Sequence, residues 1–123
     1  MAKLMATAEV NVFSSDRKVS VSDYESLVAS FHRLADARLT DTQKQVLVES
    51  HRLLQFRDLS MTALADLVSR RSSVPYSTVK WNLRSLREMG LLSGGDMSSK
   101  GRPAQLTGAA CMLATFFEER VYE

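Results

Sequence analysis

The pattern of apolar and polar side chains is most clearly helical between Val74 and Leu92. Apolar residues recur there at spacings of three and four, which places them on one side of an α-helix. Pro75 loses no backbone donor in a first helical turn, and Gly90 suits the left-handed residue that ends a helix. The pattern therefore predicts a helix from about Tyr76 to Met89. Its predicted buried stripe consists of Val79, Leu83, Leu86 and Met89.

The opposite side of this predicted helix is polar, cationic and aromatic. Its outward residues are Ser77, Thr78, Lys80, Trp81 and Arg84. They lie in the N-terminal half, where a docked helix meets phosphates and base edges. Ser77 and Thr78 are also candidates to cap the helix. This face indicates a recognition helix, although the indole of Trp81 could contact DNA or be buried against the following loop or a partner chain.

Segments on both sides of the predicted recognition helix have matching patterns. Ser60 to Val68 predicts a short amphipathic helix capped by Ser60, with Leu64, Leu67 and Val68 inward. The connection that follows is expected to be long and free of glycine, and it contains Arg70 and Arg71. After the recognition helix, apolar pieces at 91–92 and 104–106 flank a Gly- and Ser-rich loop, which predicts a β-hairpin. Lys100 and Arg102 stand at the tip of this hairpin, which we call the wing.

Two helices are predicted before this central part, and a third is predicted after it. Ser22 and Glu25 form a capping pattern that opens a helix to about Ala37, and Thr40 with Gln43 opens another to about Phe56. Their predicted buried stripes are Leu27, Val28, Phe31, Leu34 and Ala35 in the first, and Val46, Leu47, Ser50, Leu53 and Leu54 in the second. Residues 1–21 contain two alternating stretches, which fit either a small β-hairpin or a flexible arm.

The last segment predicts a C-terminal helix that Thr107 can cap. Its apolar band is wider than one helix usually buries, and consists of Ala109, Met112, Leu113, Phe116, Phe117 and Val121. The small residues Ala110 and Ala114 permit close approach by another helix. Two interpretations follow: this helix contributes to a homodimer interface, with residues 22–37 as a further contributor, or both helices cover the core of one monomer.

The run from Met61 to Thr107 resembles the winged helix-turn-helix domain of MarR-like and ArsR-like transcription regulators of the small archaeal and bacterial type. The resemblance rests on the segments ALADL, YSTVKWNLRSL, EMGLL and KGRPAQLT, and it covers 47 of 123 residues. It implies a mainly α-helical fold with a small β-wing and extra N-terminal and C-terminal helices. The expected divisions are 1–21 for the arm, 22–39 for an additional helix, 40–107 for the winged helix-turn-helix domain and 108–123 for the C-terminal helix.

The distribution of charge supports a polyanionic partner. The whole chain has a formal charge of only +2, but residues 60–105 contain seven positive and three negative side chains, a net +4. This excess can supply sequence-independent affinity for nucleic acid through counterion release. A solvated basic face without a ligand is the simpler alternative.

Composition excludes several other classes of protein. The apolar runs are all shorter than a membrane span, and the N-terminus lacks a signal-peptide pattern, so a cytoplasmic protein is expected. His32 and His51 fall on different predicted helices and Cys111 is the sole cysteine, so no metal site or other cofactor is expected. The motifs of nucleophilic, metal-dependent or nucleotide-dependent catalysis are missing as well, which argues against an enzyme.

The expected function is a sequence-specific, double-stranded DNA-binding transcription regulator, with the helix at about 76–89 in the major groove and the wing at about 91–107 on the backbone. The expected DNA-contacting residues are Arg70, Arg71, Tyr76, Ser77, Thr78, Lys80, Trp81, Arg84, Lys100 and Arg102. A winged-helix module that binds proteins in a transcription or replication assembly is the alternative. A second alternative is a regulator that binds a small-molecule effector, with a pocket lined by Tyr24, Phe31, Phe116 and Phe117. The sequence offers no motif for such a ligand.

Overall fold

The computed structural model describes residues 18–94 and 102–121. Within them the chain forms five helices and two strands. These are α1 (Val21–Arg38), α2 (Asp41–Leu54), α3 (Met61–Ser72), α4 (Tyr76–Glu88), β1 (Leu92–Ser93), β2 (Gln105–Leu106) and α5 (Gly108–Val121). The predicted arm or hairpin before residue 18 and the wing tip with Lys100 lie outside the described residues. The described part confirms a mainly helical chain with a two-stranded hairpin.

The described residues fall into two units, one that ends at Arg38 and contains α1, and one that begins at Leu39. The N-terminus of α1 is capped by Ser20, whose backbone N–H donates to Asp23 Oδ2 at 3.1 Å while its hydroxyl accepts from the Asp23 N–H at 3.3 Å. The predicted cap by Ser22 and Glu25 is therefore wrong by two residues. The reciprocal bonding of side chains and backbone expected between Ser22 and Glu25 occurs instead between Ser20 and Asp23, so the helix starts earlier.

The buried stripe predicted for α1 is also wrong. No residue of this helix is buried, and Leu27 and Leu34 are 63% and 59% exposed. The physical reason is that a helical period identifies which side of a helix is apolar but not what covers it. The remaining members of the predicted stripe, Val28, Phe31 and Ala35, are half-buried.

In the second unit, α2 packs against α3, α4 and α5. It begins with the predicted capping box, in which the Gln43 N–H donates to Thr40 Oγ1 at 3.0 Å and the Thr40 N–H donates to Gln43 Oε1 at 2.8 Å. The buried residues of this helix are Val46, Leu47 and Ser50. Most of the predicted stripe is thus confirmed, while Leu53 and Leu54 are half-buried.

The connection between α3 and α4 is shorter than predicted. Ser60 caps α3 by accepting the Ala63 N–H at 3.1 Å, as expected, but the helix continues to Ser72. Only Ser73, Val74 and Pro75 separate the two helices, so the prediction of a long connection is wrong. Ser73 adopts φ 62°, the left-handed conformation that glycine usually supplies at a helix C-terminus. A tight helix-turn-helix therefore forms without glycine.

The two strands of the wing pair antiparallel, with Leu92 opposite Leu106. The Ala104 N–H also donates to the Leu59 carbonyl oxygen at 2.7 Å, which ties the wing to the segment between α2 and α3. Gly90, at φ 80°, turns the chain out of α4 as predicted. Because the chain leaves the helical path here, Met89 is 47% exposed, and its predicted burial is wrong.

The C-terminal helix α5 packs on α2. Thr107 caps it as predicted, by accepting the Ala110 N–H at 3.3 Å. The buried residues are Ala110, Leu113, Ala114 and Phe117. The small residues therefore face the interior of their own chain. Of the predicted apolar band, Ala109 and Met112 are exposed and Phe116 is half-buried, because the band is wider than the surface that α2 covers.

Candidate nucleic-acid interface

One side of α4 anchors the helix and leaves the opposite side in solvent. Val79, Leu83 and Leu86 are at most 1% exposed, and α4 packs against α2 and α3. We call the opposite side the exposed α4 face. It consists of Tyr76, Ser77, Lys80, Trp81 and Arg84, which line a shallow depression. Four of the five predicted outward residues are thus brought together, whereas Thr78 is half-buried. Trp81 is 67% exposed rather than buried within the chain.

The N-terminus of α4 has no side-chain cap. Pro75 occupies the cap position, so the predicted capping by Ser77 or Thr78 is wrong. Without such a cap, amides of the first turn remain available to an external acceptor. Backbone donors and the helix dipole at this position favour an anion such as a phosphate. Thr78 is half-buried, whereas Ser77 is exposed beside these amides.

The two cations of the exposed α4 face have different surroundings. The Lys80 ammonium lies 5.6 Å from the centroid of the Tyr76 ring, a cation–π geometry. Arg84 is exposed and forms no ion pair with any residue in the described ranges 18–94 and 102–121. Its guanidinium can therefore donate to a ligand without first breaking an internal ion pair.

Arg70 and Arg71 occupy the last turn of α3, so their predicted position in a connecting loop is wrong. Arg70 Nε lies 3.3 Å from Asp66 Oδ2, and both side chains are largely exposed. Arg71 Nε lies 3.3 Å from Glu49 Oε2. This ion pair links α3 to α2. The Glu49 carboxylate also pairs with Arg52 of its own helix, at 2.8 Å. Both predicted phosphate-binding residues therefore have carboxylate partners in the same chain.

Of the two cations predicted at the wing tip, Lys100 lies outside the described residues and Arg102 lies at the base of the wing and not at its tip. Arg102 is exposed and lines a second shallow depression with Asp58, Leu59, Ser60 and Pro103. Gly94 marks where the chain leaves β1, at φ 122°. A Cβ at this position would collide with the Pro103 carbonyl oxygen and lie 3.0 Å from the Ala104 Cα. The close approach of these two segments fixes where Arg102 emerges.

Asn82 is a residue whose role sequence reasoning missed. It is only 7% exposed, and its Nδ2 donates to the Thr78 carbonyl oxygen at 2.7 Å. A signal was present, since position 82 lies three residues after Val79 and next to Leu83 and therefore falls on the buried stripe. The bond to Thr78 satisfies an amide that would otherwise be costly to bury.

The aromatic residues proposed for an effector pocket divide between the two units. In the second unit, Phe117 is 3% exposed, lies 5.6 Å from the Phe116 ring and has the Lys44 ammonium 5.3 Å from its ring centroid. Phe117 therefore acts as a core residue. The described residues contain no group of three or more His, Cys, Asp or Glu side chains able to hold a metal ion. None of their helices combines the length and apolar character needed to cross a bilayer.

A helix pair joined by a three-residue turn and followed by an antiparallel hairpin defines a winged helix-turn-helix fold. No protein-family model and no curated protein sequence matches the chain. Solved structures with a similar fold include the adhesin competence repressor AdcR from Streptococcus pyogenes, with a TM-score of 0.50 and 22% identity over 82% of this chain and 72% of AdcR. The M. tuberculosis transcriptional regulator MosR matches over the same shares, with a TM-score of 0.48 and 25% identity. The likeness to AdcR confirms the predicted fold.

Proposed function

We propose that this chain is a cytoplasmic transcription regulator that binds double-stranded DNA sequence-specifically, with α4 in the major groove and the wing, residues 91–107, against the backbone. The observation that carries this proposal is the exposed α4 face. Its hydroxyl, cationic and indole groups point away from the buried stripe of the same helix. An α-helix fits the major groove of B-form DNA, so the face can meet base edges without unfolding the core. The match to a repressor in fold agrees with this function.

The chemistry of each side chain suggests its role on DNA. Arg84 has no internal ion pair among the described residues, and a guanidinium can donate two hydrogen bonds to the groove edge of guanine. Lys80 is a point charge at the flank of the face and suits a phosphate. Ser77 and Thr78, with the uncapped amides of the first turn, would hold a second phosphate. Tyr76 supports Lys80 through its ring.

The remaining predicted contacts lie outside α4. Arg102, at the base of the wing, is exposed and would approach the adjacent backbone, together with Lys100 beyond it. Arg70 and Arg71 would add phosphate contacts from the end of α3. Since each has a carboxylate partner in the chain, a phosphate there would have to replace or share that partner. Their contribution should therefore be smaller than that of Arg84.

We further propose that the protein acts as a homodimer. In α1, Leu27 and Leu34 are more than half exposed and Tyr24 is 39% exposed, and in α5 Met112 is 47% exposed. Burying such side chains against a second copy would contribute about 25 cal/mol for each Å² of apolar surface removed from water. Sedimentation of the wild type and of a Leu27→Glu variant tests this. A dimer that dissociates in the variant supports the proposal, and a wild type that sediments only as a 13.7 kDa species at micromolar concentration contradicts it.

The DNA-binding proposal is tested by enriching duplexes from a random pool and measuring their affinity by fluorescence anisotropy. Arg84→Ala should cost about 1–3 kcal/mol on the enriched duplex and relax preference at one base pair. Lys100→Ala should weaken enriched and random duplexes equally and reduce the salt dependence of binding. Arg120→Ala is a matched control, because it removes an exposed arginine from α5 and should leave affinity unchanged.

Two results would contradict the DNA-binding proposal. The first is failure to retain any duplex at low salt, where phosphate contacts are strongest. The second is an equal, small effect of Arg84→Ala and Arg120→Ala on affinity. The first result would favour the alternative function, a protein-interaction module in a transcription or replication assembly, with Trp81 and Met112 as exposed apolar anchors. The second would show that the exposed α4 face is not the surface that contacts DNA.

A further inference from the structure

Trp81 lies on the exposed α4 face, on the side of the helix opposite the buried stripe. At about 100° per residue, Ser77 and Arg84 lie within roughly 60° of it around the helix axis. The buried residues Val79 and Leu86 lie on the far side, about 140–160° away. When α4 docks with its exposed face inward, the indole therefore points toward the floor of the groove, while Lys80 lies at the flank nearer the phosphates. A largely apolar side chain, 67% exposed, thus occupies the position from which base edges are contacted.

The neighbours of Trp81 cannot recognise adenine by the usual amide pairing. Asparagine or glutamine pairs with adenine through two hydrogen bonds in the major groove. The only amide side chain in α4 is that of Asn82, which is 7% exposed and donates to the Thr78 carbonyl oxygen at 2.7 Å. It is therefore held inside the protein. Among the specific contacts that an A·T pair offers, apolar contact with the thymine is the one that an exposed indole can make.

The apolar group that a base pair presents in the major groove is the 5-methyl group of thymine. We infer that Trp81 is a specificity-determining residue that packs on this methyl group and selects a T·A pair within one or two steps of the guanine contacted by Arg84. The inference rests on the proposed function. Trp81 and Arg84 are separated by about 4.5 Å along the helix axis, close to the spacing of one base step, about 3.4 Å. The selected thymine and guanine should therefore be one or two steps apart.

The test removes only the methyl group. In the enriched duplex, each thymine is replaced in turn by deoxyuridine, which keeps Watson–Crick pairing, and the affinity of the 123-residue chain is measured. One replacement should lower affinity about fourfold, the factor expected for burial of one methyl-sized group. Replacements outside the footprint should have no effect. Since Trp81 is the chain's only tryptophan, its emission should also change when the duplex binds.

Variants assign the effect to the indole. In Trp81→Ala the thymine and uracil duplexes should bind equally, whereas Trp81→Phe should keep part of the difference. Phe56→Ala is the matched control, since it removes an 85% exposed aromatic ring outside the exposed α4 face and should keep the full fourfold difference. Because Trp81 is mostly exposed, its replacement leaves the buried stripe intact, and circular dichroism verifies the fold.

The outcomes separate this inference from the function on which it rests. Sequence-specific duplex binding that is insensitive to every uracil, or a uracil effect that persists in Trp81→Ala, overturns the inference and leaves the regulator proposal standing. Duplex binding without any sequence preference also overturns it. Absence of duplex binding, or tighter binding to single strands, overturns both, since exposed aromatic and cationic groups would then stack on unpaired bases.

Discussion

The hydroxyl of Ser50 is buried in the core without a hydrogen bond. Ser50 lies on the buried side of α2 and is 0% exposed, and its Oγ has no hydrogen-bond partner among the described residues. A buried hydroxyl that loses water without gaining a partner raises the free energy of the folded state. Ser50→Ala removes that group and nothing else, so we expect the variant to be more stable than the wild type.

The size of this effect follows from three contributions. Relief of an unsatisfied buried polar group is worth about 1–3 kcal/mol. Alanine is also the better helix former, by less than about 0.7 kcal/mol. The void left by one oxygen atom is smaller than a methyl group and costs less than about 1 kcal/mol. The free energy of unfolding should therefore rise by about 1–2 kcal/mol, which raises Tm by about 4 °C for each kcal/mol in a domain of this size.

Urea denaturation followed by circular dichroism is the appropriate assay, because Trp81 is largely exposed and its fluorescence would report poorly on the core. Ser72→Ala is the matched control. The Ser72 hydroxyl donates to the Val68 carbonyl oxygen at 2.6 Å and accepts from the Val74 N–H at 3.3 Å. Loss of both bonds, less the gain in helix propensity, should lower stability by about 1 kcal/mol. Serine-to-alanine substitution should thus raise the free energy of unfolding at position 50 and lower it at position 72. If Ser50→Ala destabilised the protein as Ser72→Ala does, the Ser50 hydroxyl would have to be hydrogen-bonded in the folded state.

Two backbone predictions concern the turn and the wing. Ser73→Gly should raise the free energy of unfolding by about 0.5–1 kcal/mol, because φ 62° is unfavourable for a residue with a Cβ; equal stability in thermal unfolding would show that serine is unstrained there. Gly94→Ala should cost about 1–3 kcal/mol and weaken binding to all duplexes alike, since its Cβ would displace Pro103 and with it the wing. Gly108→Ala, where a Cβ meets nothing within 4 Å, is the control, and equal loss in both variants would refute the steric argument.

Sequence patterns predicted the second unit well because its determinants are local. The capping box at Thr40 and the apolar spacing of α4 each depend on residues close together in the chain, and both are confirmed, except for the burial of Met89. The end of α3 was harder to predict, since its last turn is polar. There, the Ser69 hydroxyl donates to the Val74 carbonyl oxygen and the Ser72 hydroxyl donates to the Val68 carbonyl oxygen. These bonds satisfy the serine hydroxyls in a last helical turn that the sequence pattern had assigned to a loop.

Contacts between distant parts of the sequence could not be predicted from local pattern. The ion pair of Arg71 with Glu49 joins residues 22 positions apart, and no spacing rule relates them. The exposure of Leu27 in α1 likewise depends on which other segment packs on that side of the helix. The spacing of apolar residues within α1 does not specify that segment. Within the candidate interface, the cations and Trp81 were identified from their side of α4, whereas the internal bond of Asn82 required the structure.

The buried stripe of α4 determines which side chains can face DNA. A rotation of the helix by one residue, about 100°, would bury Lys80 in one direction or Thr78 and Ser85 in the other. Burial of a charge without a partner is far costlier than burial of the hydrogen-bonded amide that occupies the stripe at Asn82. The packing of Val79, Leu83 and Leu86 against the core therefore holds the helix in one orientation. The bond from Asn82 to Thr78 lies within the helix and satisfies the Asn82 amide in that orientation. The core of this domain thereby sets the angle at which Trp81 and Arg84 are presented.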